Sequence, residues 1–257
     1  VDIRDKIFLI LAKPISYYLF KLGFKANLVT LISALFALLG GLLISFDNKF
    51  IMLIGSLFFI IFYLLDYVDG IVARLRNEQS IGGQYFDLIM HLVCVISFSL
   101  GVSIGSINND GKLMIPLAFL NVTACALSLS RFSVGWMAIA MKFLENKNIS
   151  FDEFTKPKNY KKQRNLLNKI FNRFGAFIFH EDYFIFTLPL ILLFNLKFGE
   201  LLPIDIRSIL LIYGSLIYFP VIILDILFYA NNRIDLYYSK TFESDLKPNL
   251  PKDIYFD

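Results

Sequence analysis

The sequence predicts an all-α integral membrane protein with six transmembrane helices and an N-terminal amphipathic helix at the membrane surface. Hydrophobic residues make up 57% of the 257 positions and the mean hydropathy is +0.63. A soluble domain of this length could not bury so many apolar side chains. The apolar residues fall in six runs, each near the roughly 20 residues that a spanning helix needs. Because these runs are continuous and do not alternate with polar residues, they favour helices over a β-barrel.

The first element lies within residues 1–25, where Ile, Leu, Tyr and Phe mix with Arg and Lys. This mixture predicts a helix lying on the inner leaflet, interrupted near Pro14. A secretory signal is the alternative interpretation. The apolar part is too broken for such a signal and lacks a cleavage-like end, so we favour the surface helix.

Six predicted spans follow the surface helix, with limits set by the apolar runs. They cover residues 28–46, 51–73, 84–106, 113–141, 183–202 and 208–230. The fourth run is long enough to extend past the membrane. No repeat or linker divides the chain, so we expect a single domain over residues 1–257. Its parts are the surface helix at about 1–25, a bundle over 26–230 with a basic cytoplasmic loop at 142–180, and a cytoplasmic tail at 231–257.

The basic residues predict the orientation, because cytoplasmic loops are enriched in Lys and Arg. Twenty basic residues lie before the first span or after the second, fourth and sixth spans. The opposite turns hold only Lys49, Lys112, Lys197 and Arg207. Both termini are therefore predicted to face the cytoplasm, in an inner membrane. This topology also explains the net charge of +4, so we expect no nucleic-acid partner.

Ionisable residues interrupt the apolar sequence where the second span ends and the third begins. The pattern D-x2-D-G-x2-A-R-x8-G-x3-D-x3-H is formed by Asp66, Asp69, Gly70, Ala73, Arg74, Gly83, Asp87 and His91. Hydrocarbon cannot solvate a charge, so ionisable residues inside a span indicate a functional site. In the predicted topology this site opens to the cytoplasm.

The spacing of this motif places its acids on helix faces. Asp66 and Asp69 are three residues apart, and Asp87 and His91 are four apart, so each pair shares a face. Since a short segment joins the two helices, we expect antiparallel neighbours whose faces converge. Clustered carboxylates repel one another, and hard divalent cations relieve that repulsion. The cluster predicts a site for Mg²⁺ or Mn²⁺, able to hold two ions and suited to phosphoryl transfer.

The motif resembles the signature of the CDP-alcohol phosphotransferases, which ends in a fourth Asp where this chain carries His91. The resemblance implies a transferase that moves a phosphoalcohol group, commonly phosphatidyl from CDP-diacylglycerol, to an acceptor hydroxyl and releases CMP. The acceptor would be a polar alcohol or, alternatively, a lipid-linked glycan. The implied contacts of the cytidine nucleotide are Asp66, Gly70, Ala73, Arg74, Gly83, Asn27 and Thr30.

The resemblance also implies a homodimer packed through membrane helices. Small residues permit close approach between such helices, and this chain has them at Ser33-Ala34 and Gly40-Gly41.

His91 stands where the resemblance places the general base that deprotonates the acceptor hydroxyl. Histidine has an ordinary pKa of about 6.5, so it can act as a base near neutrality, and a neutral imidazole can also ligate a metal. It removes one negative charge from the cluster, which should weaken Mg²⁺ and favour a softer ion. Three interpretations remain open: a working variant, a lesion that leaves nucleotide binding without turnover, and an unrelated buried histidine.

Other polar residues are candidates for binding the acceptor. Arg131, deep in the fourth span, either binds acceptor phosphate or pairs with an Asp. His180 and Glu181 precede the fifth span on the predicted cytoplasmic side, beside Asp182, which we expect to cap that helix.

A transporter is the competing class of function. Its charges would be spread across the membrane, whereas these cluster at one face, so the sequence favours an enzyme.

Overall fold

The computed structural model describes residues 3–127, 181–198, 205–220 and 222–223. These residues are helical and include no strand, which confirms the predicted all-α class. Three helices are long and apolar enough to cross a membrane, as expected of a membrane-embedded protein: Ala26–Ile44, Lys49–Arg76 and Gly82–Asp110. The described parts of the other three predicted spans are shorter apolar helices. The basic loop at 142–180 and the tail at 231–257 lie outside the described residues.

In chain order the helices are α1 (Ile3–Lys21), α2 (Ala26–Ile44), α3 (Lys49–Arg76), α4 (Ile81–Asp110), α5 (Lys112–Leu127), α6 (Glu181–Phe198) and α7 (Ile206–Tyr213). A 3-10 turn over Lys112–Met114 opens α5, and a π-helical turn over Gly214–Tyr218 continues α7. The first three predicted spans correspond to α2, α3 and α4, with ends that differ by a few residues.

Short polar residues set where α3 and α4 begin and end. The side chain of Asn48 accepts hydrogen bonds from two backbone N–H groups in the first turn of α3. Asn77 ends α3 in the left-handed region, with φ at 53°. Ser80 caps α4 by accepting a hydrogen bond from the backbone N–H of Gly83 at 3.0 Å. These caps place the acidic motif in the last turns of α3 and the first turns of α4.

Helix α1 packs against α3 through one face, which buries Phe8, Ala12 and Ser16. It is continuous through Pro14, so the predicted interruption there is wrong. A proline ring removes the hydrogen bond to the carbonyl four residues earlier, which here belongs to Ile10. Both Ile10 and Pro14 are exposed, so the lost hydrogen bond lies on the outer side of the helix and leaves the packed face intact.

Helix α2 packs extensively against both α3 and α4, whereas α3 and α4 make little backbone contact with each other. The expected contact between α3 and α4 is made by side chains, as in the edge-to-face pair of Phe59 and Phe98. Glycine permits the close crossings of α2. A methyl group on Gly40 would lie 2.9 Å from the carbonyl oxygen of Gly55 in α3, and one on Gly101 in α4 would overlap the carbonyl oxygen of Gly41. Side chains, rather than the two backbones, therefore join α3 to α4 at the motif.

The small residues that we expected at a dimer interface lie inside one protomer. Ser33, Ala34, Gly40 and Gly41 are all buried in the packing of α2. Their small size is explained by contacts within the chain, so they give no independent support for a dimer.

A buried arginine joins helix ends at the end of the bundle opposite the motif. Arg207, at the start of α7, is 2% exposed. Its Nη1 donates to the carbonyls of residues 44–46 at the end of α2, at 3.1 to 3.3 Å. Its Nη2 lies 2.5 Å from a carboxylate oxygen of Asp47 and of Asp205. A methyl group on Gly105 of α4 would overlap the guanidinium, so that glycine makes room for it.

Candidate functional site

The structure brings Asp66, Asp87 and His91 together between the last turns of α3 and the first turns of α4. Nε2 of His91 lies 2.8 Å from Oδ1 of Asp66 and 3.8 Å from Oδ1 of Asp87. Asp66 belongs to α3, and the other two residues belong to α4. The two helix faces therefore converge as expected.

These three residues form a donor set that fits a divalent cation. Each offers one ligand atom, and the three atoms lie within 4.8 Å of one another. All three side chains are partly exposed, so an ion can reach them from outside the bundle. Two carboxylate oxygens and one imidazole nitrogen are donors that divalent metals accept in proteins.

One oxygen of Asp87 gives separate support for a cation-binding site. Oδ1 of Asp87 is buried and has no hydrogen-bond partner among the described residues. Leaving a buried acceptor of this kind unpaired is costly, and for a charged group the cost is larger than for a neutral one. A cation bound beside His91 would satisfy this oxygen.

Asp69 is placed differently from the other two acids. It is 7% exposed, and its Oδ2 accepts a hydrogen bond from Oγ1 of Thr30 at 2.6 Å. It does not belong to the close group of ligand atoms formed by the described residues. Thr30, which we expected to face the nucleotide, is itself 4% exposed and contacts Asp69 with its hydroxyl. In this structure Thr30 holds the Asp69 carboxylate in place.

Among the described residues, only the side chain of Arg74 lies beside Gly70. A methyl group on Gly70 would meet Nη1 and Nη2 of Arg74 at the ordinary contact distances of 3.6 and 3.7 Å. Packing among the described residues therefore does not require a glycine here. Arg74 is exposed, and a guanidinium can bind phosphate in a bidentate manner. Both residues are placed where a bound nucleotide could use them.

Gly83 and Asn27 lie close together although they are far apart in the sequence. A methyl group on Gly83 would lie 3.2 Å from Oγ of Ser80 and 3.7 Å from Oδ1 of Asn27. Asn27 is exposed at the start of α2. The structure thus joins two predicted nucleotide contacts at the first turn of α4.

Ala73 has a structural explanation. It packs against a buried apolar cluster that includes Ala12 of α1, Val29 of α2 and Val72 of α3. A larger side chain at this position would push against the packing of α1 on α3.

Two aromatic rings that the acidic motif did not predict lie beside His91. The ring centroid of Phe62 lies 5.4 Å from that of the imidazole, edge to face at 90°, and that of Tyr63 lies 6.4 Å away. Phe62 and Tyr63 precede Asp66 by four and three residues, so the helical period places them on its face. That spacing could have identified them.

Three predicted acceptor-binding residues cannot be placed at the site. Arg131 and His180 lie outside the described residues, and Glu181 is the first residue of α6, with its side chain outside the described part.

A protein-family model described as CDP-alcohol phosphatidyltransferase matches residues 24–157, just over half of the chain. The matched region begins directly before α2 and includes the acidic motif with His91. No curated protein and no solved structure matches the chain.

Proposed function

This chain belongs to the CDP-alcohol phosphatidyltransferase family, and from that membership we propose that it transfers a phosphatidyl group from CDP-diacylglycerol to an acceptor hydroxyl and releases CMP. The family supports a transferase that uses a CDP-alcohol donor and an alcohol acceptor. The proposed acceptor is a small polar alcohol. A lipid-linked glycan is the alternative.

The observation that carries this proposal is the group formed by Asp66, Asp87 and His91. Its ligand atoms lie within 4.8 Å of one another, and Oδ1 of Asp87 has no hydrogen-bond partner among the described residues. We propose that these residues hold Mg²⁺ or Mn²⁺, with Asp69 contributing if a second ion binds. The bound metal would offset the negative charge of the donor pyrophosphate and of the departing CMP.

The nucleotide would lie beside the metal site, along the surface formed by α3, α4 and the start of α2. The open space at Gly70 admits a flat base or a phosphate, and the Arg74 guanidinium beside it can bind phosphate oxygens. Asn27 and Gly83 adjoin each other at the first turn of α4. We propose that these four residues, together with Asp66, contact the cytidine nucleotide.

In the proposed reaction the acceptor oxygen attacks the β-phosphorus of the CDP-alcohol. The bond between that phosphorus and the oxygen bridging it to CMP breaks, and CMP leaves with the bridging oxygen. The hydroxyl proton passes to a base. His91 is one candidate for that base, and the other is Asp87, whose Oδ1 has no hydrogen-bond partner among the described residues.

The proposed location is the inner membrane, with the acidic motif facing the cytoplasm, where cytidine nucleotides occur. The excess of basic residues in the predicted cytoplasmic segments supports this orientation.

We also propose a homodimer, on family membership alone. Mass measurement in mild detergent tests it, and a monomer at every concentration would contradict it.

A transfer assay tests the proposed function. The purified full-length chain, in detergent with Mg²⁺ or Mn²⁺, is given CDP-diacylglycerol labelled in the cytidine, together with a panel of polar alcohols. We expect release of labelled CMP with at least one alcohol. Asp66→Asn should abolish the release. Glu78→Gln, which changes an acid paired with Arg76 outside the cluster, should leave it unchanged.

The second candidate is a family member that binds cytidine nucleotide without turnover. It is favoured by His91, which stands in the place of the fourth Asp of the family signature and lies 2.8 Å from Asp66. Titration calorimetry with CMP separates the two candidates. Metal-dependent CMP binding with no CMP release from any CDP-alcohol would support the second candidate, whereas the absence of both would contradict both.

A further inference from the structure

We infer that His91 makes the cluster a mixed nitrogen–oxygen site that selects a transition-metal ion such as Mn²⁺ or Zn²⁺ over Mg²⁺. The inference rests on the proposed function, because it takes the cluster to be the metal site of this transferase. It adds the class of ion that the site selects and the residue that selects it.

The position of the imidazole is the first step of the argument. Nε2 of His91 is within hydrogen-bond distance of Asp66 and 3.8 Å from Asp87, so a ring nitrogen, not a ring carbon, faces the two carboxylates. An ion close enough to bind both carboxylates would therefore also meet this nitrogen.

The ring is held in this orientation by its neighbours. Phe62 contacts it edge to face at 90°, and Tyr63 lies on the same side of α3. Edge-to-face contacts between rings are favourable and directional. Turning Nε2 away from the carboxylates would lose the contact with Asp66 and disturb the packing on Phe62.

The third acid does not offer an equivalent oxygen. The carboxylate of Asp69 is buried and bound to Thr30, and it lies outside the close group of ligand atoms among the described residues. The ready donors are therefore two oxygens and one nitrogen. Mg²⁺ prefers oxygen ligands in nearly ideal octahedral geometry, whereas imidazole suits Zn²⁺ and other transition ions. A transition ion gains three protein ligands here, and Mg²⁺ gains two.

Metal titration tests this inference without using activity. The full-length chain is purified in detergent through a tag that contains no histidine, and Mg²⁺, Mn²⁺ and Zn²⁺ are titrated without nucleotide. We expect Mn²⁺ and Zn²⁺ to bind at least about tenfold more tightly than Mg²⁺. His91→Ala should lower the affinity for Mn²⁺ and Zn²⁺ by about tenfold or more and change that for Mg²⁺ by less than about threefold.

Two further variants sharpen the test. His91→Gln keeps a side-chain N–H that can donate to Asp66 but removes the imidazole nitrogen, so it should behave as His91→Ala does and remain folded. His91→Asp supplies a third oxygen and should raise the affinity for Mg²⁺, reversing the preference. Glu78→Gln serves as the matched control, since it removes an acid that pairs with Arg76 and should leave all three affinities unchanged.

Pulsed electron paramagnetic resonance of the Mn²⁺-loaded protein detects the nitrogen directly. We expect coupling of the ion to an imidazole ¹⁴N in the wild type and its loss in His91→Gln. Equal weakening of Mg²⁺ and Mn²⁺ in His91→Gln, or the absence of ¹⁴N coupling in the wild type, would overturn the inference.

The two proposals fail in different ways. CMP release without a nitrogen-ligated ion would overturn only the choice of metal. A nitrogen-ligated ion in a protein that releases no CMP from any CDP-alcohol would overturn only the proposed reaction.

Discussion

His91 and Thr30 act on different acids of the motif. His91 contacts Asp66 through Nε2, and Thr30 donates its hydroxyl to Asp69. Asp66 thus contacts an imidazole that can also bind a metal, whereas Asp69 is held by a neutral hydroxyl. This difference explains why the three acids of one motif need not have the same task.

We expect His91→Ala to lower CMP release on the order of a hundredfold or more, because the variant removes either a general base or a metal ligand. His91→Asp supplies a carboxylate, which can serve both as a base and as an oxygen ligand, so this variant should retain or raise activity with Mg²⁺. The assay measures CMP release with each metal. Full activity in His91→Ala would show that neither role is correct.

Thr30→Val tests the support of Asp69. The change keeps the shape of the side chain and removes the hydroxyl that donates to Asp69 at 2.6 Å. A hydrogen bond to a charged group contributes about 1.5–3 kcal/mol, so the free energy of unfolding should fall by an amount of that order. Thermal unfolding in detergent measures the effect. Thr30→Ser keeps the hydroxyl, so its free energy of unfolding should fall much less. A loss in Thr30→Ser as large as that in Thr30→Val would contradict this prediction, because Thr30→Ser retains the hydrogen-bonding hydroxyl.

Among the helices, α2 has the central place, because glycines let it approach α3 on one side and α4 on the other. It also carries Asn27 and Thr30 to the motif and presents its last carbonyls to Arg207. The start of α2 thus contributes residues to the proposed site, and the end of α2 binds Arg207 at the opposite end of the bundle.

Gly101→Ala should destabilise the bundle, because the added methyl group would overlap the carbonyl oxygen of Gly41. Overpacking of this kind costs about 1–3 kcal/mol. Gly82→Ala is the matched control within the same helix, since a methyl group there would meet none of the described residues within 4 Å. Thermal unfolding of both variants in detergent checks the prediction. A loss in Gly82→Ala as large as that in Gly101→Ala would contradict it.

Arg207→Met should also destabilise the protein. It keeps the length of the side chain but leaves Asp205, Asp47 and the carbonyls at the end of α2 without their donor. Removing one partner of a buried ion pair costs roughly 3–5 kcal/mol, and we expect the lower end because Asp47 is half exposed. Lys112→Met removes an exposed cation near the end of α4 and should have little effect. A melting temperature unchanged in Arg207→Met would show that the arginine network is dispensable.

Across the whole protein, the predicted orientation can be tested with single introduced cysteines. Glu78 lies in the exposed turn between α3 and α4, and Lys112 is exposed beyond the other end of α4. A membrane-impermeant thiol reagent should label Glu78→Cys only from the cytoplasmic side and Lys112→Cys only from the opposite side. The native Cys94 and Cys125 are buried, so their background should be low. Labelling of both positions from one side would contradict the topology.

The amino-acid sequence was sufficient for the features that depend on local composition and spacing. The apolar runs predicted membrane helices, and three of them are found as α2, α3 and α4. The intervals within the motif predicted that Asp66, Asp69, Asp87 and His91 converge, because a helix places residues three or four apart on one side. Among the described residues Asp66, Asp87 and His91 do so, and Asp69 lies outside their group. The family match agrees with the interpretation of that motif.

Only the folded chain shows which helices are neighbours. A short connection suggested that α3 and α4 are neighbours, and their side chains do meet. The closest backbone contacts are instead those of α2 with each of them, since the glycines of α2, α3 and α4 allow backbones to touch there. The same packing unites Thr30 with Asp69, 39 residues apart, and Arg207 with the end of α2, more than 160 residues away. Such contacts depend on surfaces that fit together over many residues. A hydropathy pattern records which residues are apolar, but it does not record which surfaces match.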